Sequence, residues 1–179
     1  SKMYVSGVEL NRMGQNLTLA RYPIHWHLVG DAKGQYIRNA AIHDTYNRCV
    51  TVHGTNYLQV ENNVTYNTVG HCFFLEDGIE TGNEYVRNLG IQTKCHPILP
   101  CDPTNLAPFG ATAGTNFNTT GQDSKDVLIP SDNTVSSFWI TNPDNVYRDN
   151  VAAGSDQTGF WFALPEHPTG QFEGTQISA

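Results

Sequence analysis

The amino-acid sequence predicts an all-β fold, a right-handed parallel β-helix of about five or six stacked coils with one long loop insertion. Three observations predict it: an internal repeat of about 23 residues, apolar positions that alternate with polar ones, and Asn or Gly at the turns. A short strand pair cannot bury its own apolar face, so successive copies must stack. An ordinary β-sandwich is the alternative, but it does not predict a gap-free match between whole periods.

The repeat is clearest in two adjacent segments, YIRNAAIHDTYNRCVTVHGTN (36–56) and QVENNVTYNTVGHCFFLEDG (59–78), which superpose without a gap. Their register places Asn39 on Asn62. Asn suits such turns because it tolerates the left-handed region and can hydrogen-bond the Asn of the next coil. Each copy is predicted to be a short strand, a turn and a second short strand. Further copies cover residues 8–28, 85–91 and 146–164.

The whole chain, residues 1–179, is predicted to form a single β-helix segment of a larger protein. Residues 95–143 break the repeat and are rich in Gly, Pro, Thr and Asn, so we expect a loop excursion over about residues 95–134. VSSFWITN (135–142) is predicted to return as a strand of a coil. Open β-helix ends are exposed strand edges, which predicts stacking or self-association through them.

The composition narrows the classes of partner. The formal net charge is −7 and only 15% of the residues are charged, which argues against nucleic acid because a basic surface is expected there. A polyanionic partner would therefore need a local basic strip or a bound cation. No run of about 18 apolar residues is present, so no transmembrane segment is predicted. The first residues, SKMYVSGVEL, lack the features of a signal peptide, so either a signal lies upstream or the protein is not secreted.

The four cysteines fall into two pairs. Cys95 and Cys101 bracket the short loop CHPILPC, and we predict a disulfide between them, which points to an oxidising compartment. Two free thiols in a cytosolic loop are the alternative, and a zinc site built from this pair and His96 lacks a fourth ligand nearby. Cys49 and Cys72 occupy equivalent, outward-predicted positions of adjacent coils, where a disulfide and two packed thiols are equally open.

Three Asn-x-Ser/Thr sequons, at Asn16, Asn63 and Asn118, are candidate glycosylation sites if the chain is secreted. In a chain this rich in Asn and Thr, several sequons arise by chance. Together with the predicted disulfide they favour an extracellular or cell-surface location.

The stretch RYPIHWHLVGD (21–31) carries two histidines one residue apart. Strand alternation places His25 and His27 on one outer face. Neighbouring coils lie about 4.8 Å apart, so the outward His53 and Glu76 of the next two coils should form a ladder with His27. Such a group can surround one divalent metal. A row of polar residues on a solvated sheet is the alternative interpretation.

The same alternation assigns the other faces of these strands. Predicted inward are Ile24, Trp26, Val50, Val52, Phe73, Leu75, Phe160 and Phe162, and predicted outward are Thr51, Phe74 and Trp161. The other four histidines lie at turns or in loops and are predicted to be structural: His43, His71, His96 and His167.

The segments RYPIHWHLVGD, GHCFFLEDGIETGN and GFWFALPEHPTG together resemble one family, which includes the cell-surface hyaluronidase, the cell-migration-inducing hyaluronan-binding protein and the fibrocystin-like proteins. The resemblance covers almost the whole chain outside the 95–143 insertion. It implies a right-handed parallel β-helix in a large extracellular protein and, for some members, hyaluronan binding or depolymerisation supported by calcium. On this sequence it directs attention to His25, His27, Asp31, Glu76 and Asp77.

Two functional hypotheses use the same outer face. As a binding module, the chain would hold a glycan or an extracellular protein there without turnover; as an enzyme, it would cleave a polysaccharide. The candidate catalytic residues are Glu76, Asp77 and His53, and the candidate substrate-binding residues are Arg21, Arg48 and Trp161. The arginines would hold a uronate carboxylate. Glu76 and Asp77 are neighbours in sequence and are predicted to face apart, which favours binding slightly.

A divalent metal, calcium or zinc, is the candidate cofactor. The candidate metal ligands are His25, His27, His53 and Asp31. Zinc would use the imidazoles and would bind less tightly below a pH of about 6.5. Calcium prefers oxygen, so it would use Asp31, Glu76 and Asp77 and leave the histidines as bystanders.

Overall fold

The computed structural model describes residues 2–97, 101, 135–165 and 167–175, whose strands form five coils of a parallel β-helix. Each coil carries three short strands. The first two coils contain β1 (Tyr4–Ser6), β2 (Glu9–Asn11), β3 (Ile24–Asp31), β4 (Tyr36–Arg38), β5 (Ala41–His43) and β6 (Val50–Asn56). The last three contain β7 (Gln59–Glu61), β8 (Val64–Val69), β9 (Phe73–Leu75), β10 (Glu84–Val86), β11 (Leu89–Lys94), β12 (Ser136–Ile140), β13 (Val146–Arg148), β14 (Val151–Ala153) and β15 (Thr158–Phe162). A 3-10 turn, Gly170–Phe172, follows β15.

Three parallel sheets run along the helix, and each takes one strand from every coil. Their strand orders are β1-β4-β7-β10-β13, β2-β5-β8-β11-β14 and β3-β6-β9-β12-β15. This topology confirms the predicted parallel β-helix. The prediction of two strands per coil is wrong, because three-residue strands such as β4 and β5 are too short for their alternation to be separated from a turn.

The turn between the first two strands of a coil bends through one residue in the left-handed region. Asn39 (φ 55°) and Asn62 (φ 54°) take this position in the second and third coils, and Arg87 (φ 54°) and Asp149 (φ 58°) take it in the fourth and fifth. Asn62 Nδ2 donates to Asn39 Oδ1 at 2.6 Å. The predicted stacking of Asn on Asn is therefore confirmed, since Asn tolerates this backbone conformation better than most residues.

A buried asparagine ladder links the coils inside the helix. The side-chain amide of Asn63 donates to the carbonyl of Ile37 at 3.2 Å and to Asn88 Oδ1 at 2.9 Å. Because Asn63 is fully buried and its amide is engaged, the predicted glycosylation of Asn63 is wrong. Asn16 is exposed and remains a candidate, and Asn118 lies outside the described residues.

The inward rows of the third sheet fill the interior. Ile24, Trp26, Val50, Val52 and Leu75 pack in the core as predicted. Phe73, Phe138 and Phe160 stack ring on ring, with centroids 4.8 and 4.6 Å apart. Phe160 and Phe162 continue the rows of Phe138 and Ile140, but they are 39% and 55% exposed. The predicted inward direction of both residues is therefore confirmed, and they are exposed because β15 is the last described strand of this sheet.

Both cysteine pairs form disulfides. The Cys95–Cys101 bond is confirmed, with Cα atoms 5.4 Å apart, and Cys49–Cys72 is also bonded, with Cα atoms 4.5 Å apart. The prediction that Cys49 and Cys72 face outward is wrong, since both pack in the interior core. They precede β6 and β9, so the alternation of those strands does not extend to them.

The chain returns from its long insertion in β12, as predicted for VSSFWITN. Most of the predicted excursion, residues 102–134, lies outside the described residues. Within the described ranges, no helix has the length and apolar character needed to cross a membrane.

Candidate functional site

The outer face of the third sheet brings the predicted histidines together. Where β3 pairs with β6, His25 lies opposite Thr51 and His27 lies opposite His53. Where β6 pairs with β9, the row continues from Thr51 to Phe74. The predicted register is therefore confirmed, and a bulge after His27 ends the alternation of β3.

Three imidazoles form a compact cluster on this face. One ring nitrogen from each of His25, His27 and His53 lies within 4.8 Å of the others, and His27 Nδ1 and His53 Nδ1 are 3.0 Å apart. His25 hydrogen-bonds to the backbone of Ala20. Its Nε2 is buried and makes no hydrogen bond to any residue that the structure describes. A buried ring nitrogen in this state suggests an acceptor held for a ligand.

Two carboxylates from the third coil close the cluster. Glu76 Oε2 lies 3.7 Å from His25 Nε2 and 3.7 Å from His53 Nδ1. Asp77 Oδ2 accepts a hydrogen bond from His53 Nε2 at 2.7 Å. The prediction that Glu76 and Asp77 face apart is wrong, because β9 ends at Leu75 and its alternation stops before them.

The surroundings of each histidine shift its protonation. Burial, together with the nearby His27 and His53, lowers the pKa of His25 to about 4. Burial and then His53 lower the pKa of His27. Burial also acts to lower the pKa of His53, but the hydrogen bond to Asp77 and the charge of Glu76 outweigh it and raise that pKa. His25 and His27 are therefore neutral at pH 7, the form that ligates metals.

The donor set fits a tetrahedral transition metal. Ligands about 2.05 Å from a tetrahedral Zn²⁺ are separated from one another by about 3.3 Å. The His27–His53 separation of 3.0 Å and the two separations of 3.7 Å from Glu76 lie near that value, and the three imidazole nitrogens lie within 4.8 Å of one another. Asp77 fits an outer-shell role, because by accepting from His53 Nε2 it leaves Nδ1 directed at the cluster. A nitrogen-rich set suits zinc better than calcium, which takes about six to eight oxygen ligands.

Asp31 does not join the cluster. It lies beyond the bulge at the end of β3, opposite Asn56, and its carboxylate accepts the backbone N–H of Lys33 at 2.8 Å. The prediction of Asp31 as a metal ligand is therefore wrong. The carboxylates predicted for calcium, Asp31, Glu76 and Asp77, do not form a metal-sized group among the described residues.

Comparison with known proteins decides the family. The CEMIP beta-helix family model matches residues 1–179. The chain belongs to this family. It is 39% identical to the cell surface hyaluronidase CEMIP2 of Homo sapiens over 191 residues, which cover 100% of this chain and 13% of that protein. It is 42% identical to the cell migration-inducing and hyaluronan-binding protein of Mus musculus, over 93% of this chain and 12% of that protein.

Fibrocystin-L of Mus musculus is a third relative, 40% identical over 91% of this chain and 3% of its own length. The predicted family resemblance is confirmed by these matches. The chain spans about an eighth or less of the length of the relatives. One relative is named for the cell surface, and the two disulfides of this chain are typical of an oxidising compartment.

Two of the predicted substrate-binding residues are buried in this CEMIP beta-helix domain. Arg48 is 2% exposed, and its guanidinium lies 3.9 Å from the ring centroid of Phe74. Trp161 is 7% exposed and stacks on Trp139 with ring centroids 6.0 Å apart. The prediction of direct substrate contact by Arg48 and Trp161 is therefore corrected, since a glycan cannot reach either group in this arrangement. Arg21 is exposed and remains a candidate.

The remaining histidines have other environments. The buried His71 accepts the backbone N–H of Ser136 at its Nδ1 at 3.1 Å, which fits the predicted structural role. His43 contacts Asp44 and Glu9, each at 2.8 Å, and these hydrogen bonds raise the pKa of His43. Among the described residues, none of these belongs to a metal-sized group: His43, His71, His96 and His167.

Two features of the site escape prediction from the sequence. Glu80 is fully buried and accepts the backbone N–H of Gly54 and of Gly78, each at 2.8 Å, and burial raises the pKa of its carboxyl to about 6. Residues 167–175, which follow β15, contact Asp77 in the third coil. The Asp-Gly turn before Glu80 is the only local signal for it, and no local pattern indicates the contact made by 167–175.

Proposed function

We propose that this domain is a binding module whose outer face holds a divalent transition metal, zinc by its donor set, and through that metal an acidic polysaccharide of the hyaluronan class. The observation that carries the proposal is the convergence of the three imidazoles of His25, His27 and His53, whose nitrogens lie within 4.8 Å of one another. Glu76 Oε2 lies 3.7 Å from two of these rings. Two relatives are named for hyaluronan or its cleavage, which supports the class of glycan. The same relatives and the disulfides support an extracellular or cell-surface location.

The charge of the chain explains why a metal would matter to an acidic glycan. With a formal net charge of −7, the domain repels a uronate carboxylate unless a local cation offsets that charge. Arg48, one of the two candidate arginines for a uronate carboxylate, is 2% exposed and is covered by its contact with Phe74. A dication at the histidines would supply positive charge at the surface.

Each residue of the cluster has a stated role in this proposal. His25 Nε2, His27 Nδ1, His53 Nδ1 and the Glu76 carboxylate would hold the metal. Asp77 would orient His53 from the outer shell. The metal, when bound, would supply a positive charge that attracts the carboxylates of the glycan.

Zinc titration by calorimetry tests the metal site. We expect one site in the chelator-treated chain, and its loss in the double variant His25→Ala/His27→Ala, whose circular dichroism should match that of the wild type. His43→Ala is the matched control, because His43 also contacts carboxylates but lies on β5. Equal zinc binding by the wild type and the double variant would refute the site.

Glycan binding is tested separately with hyaluronan oligosaccharides. We expect measurable affinity with zinc present and a large loss when EDTA replaces zinc, since the acidic chain then loses the positive charge of the metal. Affinity that is the same in both conditions, and the same in the double variant, would place the glycan elsewhere.

Polysaccharide cleavage is the second candidate function. His53 lies between Glu76 and Asp77, and an imidazole held by a carboxylate can act as a general base. Incubation of high-molecular-weight hyaluronan with the chelator-treated chain, in which His53 Nδ1 carries no metal, and with the zinc-loaded chain, each followed by light scattering, separates the candidates. Shortening that is lost in Glu76→Gln indicates an enzyme, whereas zinc-dependent binding without shortening indicates a module.

A further inference from the structure

We infer that residues 167–175, here called the return segment, position the histidine site: Thr169 orients the Asp77 carboxylate and thereby fixes the tautomer of His53. The inference deepens the proposed function and rests on it for its relevance to metal binding. Its test, however, is made on the metal-free protein and does not require that zinc binds.

The return segment docks beside the site at two points. The backbone N–H of Thr169 donates to the Asp77 carbonyl at 2.8 Å, and the Thr169 hydroxyl donates to Asp77 Oδ1 at 3.2 Å. Further along, the ring of Phe172 lies against Gly54, the residue after His53: a Cβ built on Gly54 would be 3.1 Å from Phe172 Cε2. The segment therefore contacts Asp77 itself and the residue that follows His53 in the chain.

Gly170 brings the backbone of the return segment against the carboxylate itself. A Cβ at this position would lie 2.9 Å from Asp77 Oδ1, closer than real Cβ atoms approach other atoms, and 3.1 Å from Oδ2, which is a tight contact. Gly170 also has a φ of +64°, which favours glycine over residues with a Cβ. The return segment can therefore pack this closely against the Asp77 carboxylate because residue 170 is a glycine, which has no Cβ.

The backbone N–H, the carbonyl and both carboxylate oxygens of Asp77 all make hydrogen bonds. Its backbone N–H donates to Glu80 Oε1 at 3.2 Å, its carbonyl and Oδ1 accept from Thr169, and Oδ2 faces His53 Nε2 at 2.7 Å. A carboxylate oxygen accepts and does not donate, so Nε2 of His53 carries the proton. The other nitrogen, Nδ1, is then bare and faces His27 Nδ1 at 3.0 Å.

The tautomer of His53 can be read directly by NMR. Long-range proton–nitrogen spectra distinguish a protonated from a bare ring nitrogen, and the chelator-treated chain is measured at about pH 8.5, roughly two units above the ordinary imidazole pKa. For the wild type we expect His53 protonated at Nε2. In Thr169→Val, which keeps the side-chain shape but removes the hydroxyl, we expect a mixture of both tautomers. Thr169→Ser should restore the wild-type spectrum.

Two further variants test whether the tautomer change comes from the contact with Asp77. Gly170→Ala should shift the tautomer as Thr169→Val does, because its Cβ displaces the same carboxylate. Thr175→Val is the matched control, an exposed threonine of the same segment, and should leave the His53 signals unchanged. Backbone amide spectra report whether each variant is folded.

The outcomes separate the inference from the proposed function. An unchanged His53 spectrum in folded Thr169→Val overturns the inference, even where zinc binds the wild type. A tautomer change in Thr169→Val and Gly170→Ala, reversed in Thr169→Ser, supports it. In the same samples, zinc affinity should fall about fivefold in Thr169→Val, the equivalent of one neutral hydrogen bond; absence of zinc binding in every sample would refute the proposed metal site while leaving the tautomer result as it stands.

Discussion

Replacing His25 by Gln should make the metal-free domain less sensitive to acid. The side chain of His25 is 12% exposed and its pKa is lowered to about 4, from 6.5 in the unfolded chain. Below about pH 6.5, His25 is protonated in the unfolded chain but remains neutral in the folded protein until the pH nears 4. The free energy of unfolding therefore falls as the pH falls. The shift of about 2.5 pKa units corresponds to about 3.4 kcal/mol at full protonation. About 2.5 kcal/mol of this is lost by pH 4.5, or about 2 kcal/mol after a discount for the exposed part of the ring.

Urea unfolding followed by tryptophan fluorescence measures this loss. The free energy of unfolding is determined at about pH 7.5 and about pH 4.5 for the wild type and for His25→Gln, with chelator present. Carboxylates such as Glu80 titrate in both proteins, so the difference between the two losses reports His25. It should be about 2 kcal/mol. His167→Gln, at an exposed histidine, is the control and should behave as the wild type. Equal losses of unfolding free energy in the wild type and in His25→Gln would refute the claim that burial lowers the pKa of His25.

Three predictions concern the scaffold, and urea unfolding at neutral pH checks each. Serine at both Cys49 and Cys72 should cost about 3.4 kcal/mol, from the loop entropy of a 23-residue separation, and an unchanged midpoint would contradict it. Asn88→Ala should cost about 3 kcal/mol, because buried donors and acceptors of the ladder lose their partner, whereas Gln59→Ala, at an exposed position of β7, should cost little. Phe138→Ala should cost about 3–5 kcal/mol through the gap left in the aromatic stack; a loss below 1 kcal/mol would mean that the stack contributes little.

The fold could be predicted because stacking repeats the same physical requirement in every coil. A match such as Val50 on Phe73 appears in the sequence as a gap-free repeat and in the structure as a parallel register. The side-chain period of two then separates inward from outward residues within any strand long enough to show it. Side-chain alternation did not predict the third strand of each coil, because a strand of three residues shows hardly more than one alternation of apolar and polar positions.

The candidate site could be predicted only as far as strand alternation extends. His25, His27 and His53 lie within β3 and β6, and their shared face follows from parity. Asp31 lies beyond a bulge and Asp77 lies beyond the end of β9, so their directions depend on turns that parity does not describe.

Local sequence patterns also could not predict which side chains are covered by residues that are distant in the sequence. Trp161 has the predicted outward parity, yet it is covered and stacked on Trp139. Glu80 is an acidic residue in a turn, where exposure is the ordinary expectation, but three backbone N–H groups hold it inside. Thr169 reaches Asp77 across 92 residues of sequence.

Anomalous diffraction from crystals soaked in zinc, recorded on both sides of the zinc absorption edge, is the most direct test of the proposed zinc site at His25, His27 and His53. We expect one strong peak on the outer face of the third sheet, about 2.0–2.1 Å from His25 Nε2, His27 Nδ1 and His53 Nδ1, with the Glu76 carboxylate as the fourth protein ligand. Asp77 should remain hydrogen-bonded to His53 without touching the metal. A structure at saturating zinc with no peak at these imidazoles, or with its metal held by other residues, would contradict it.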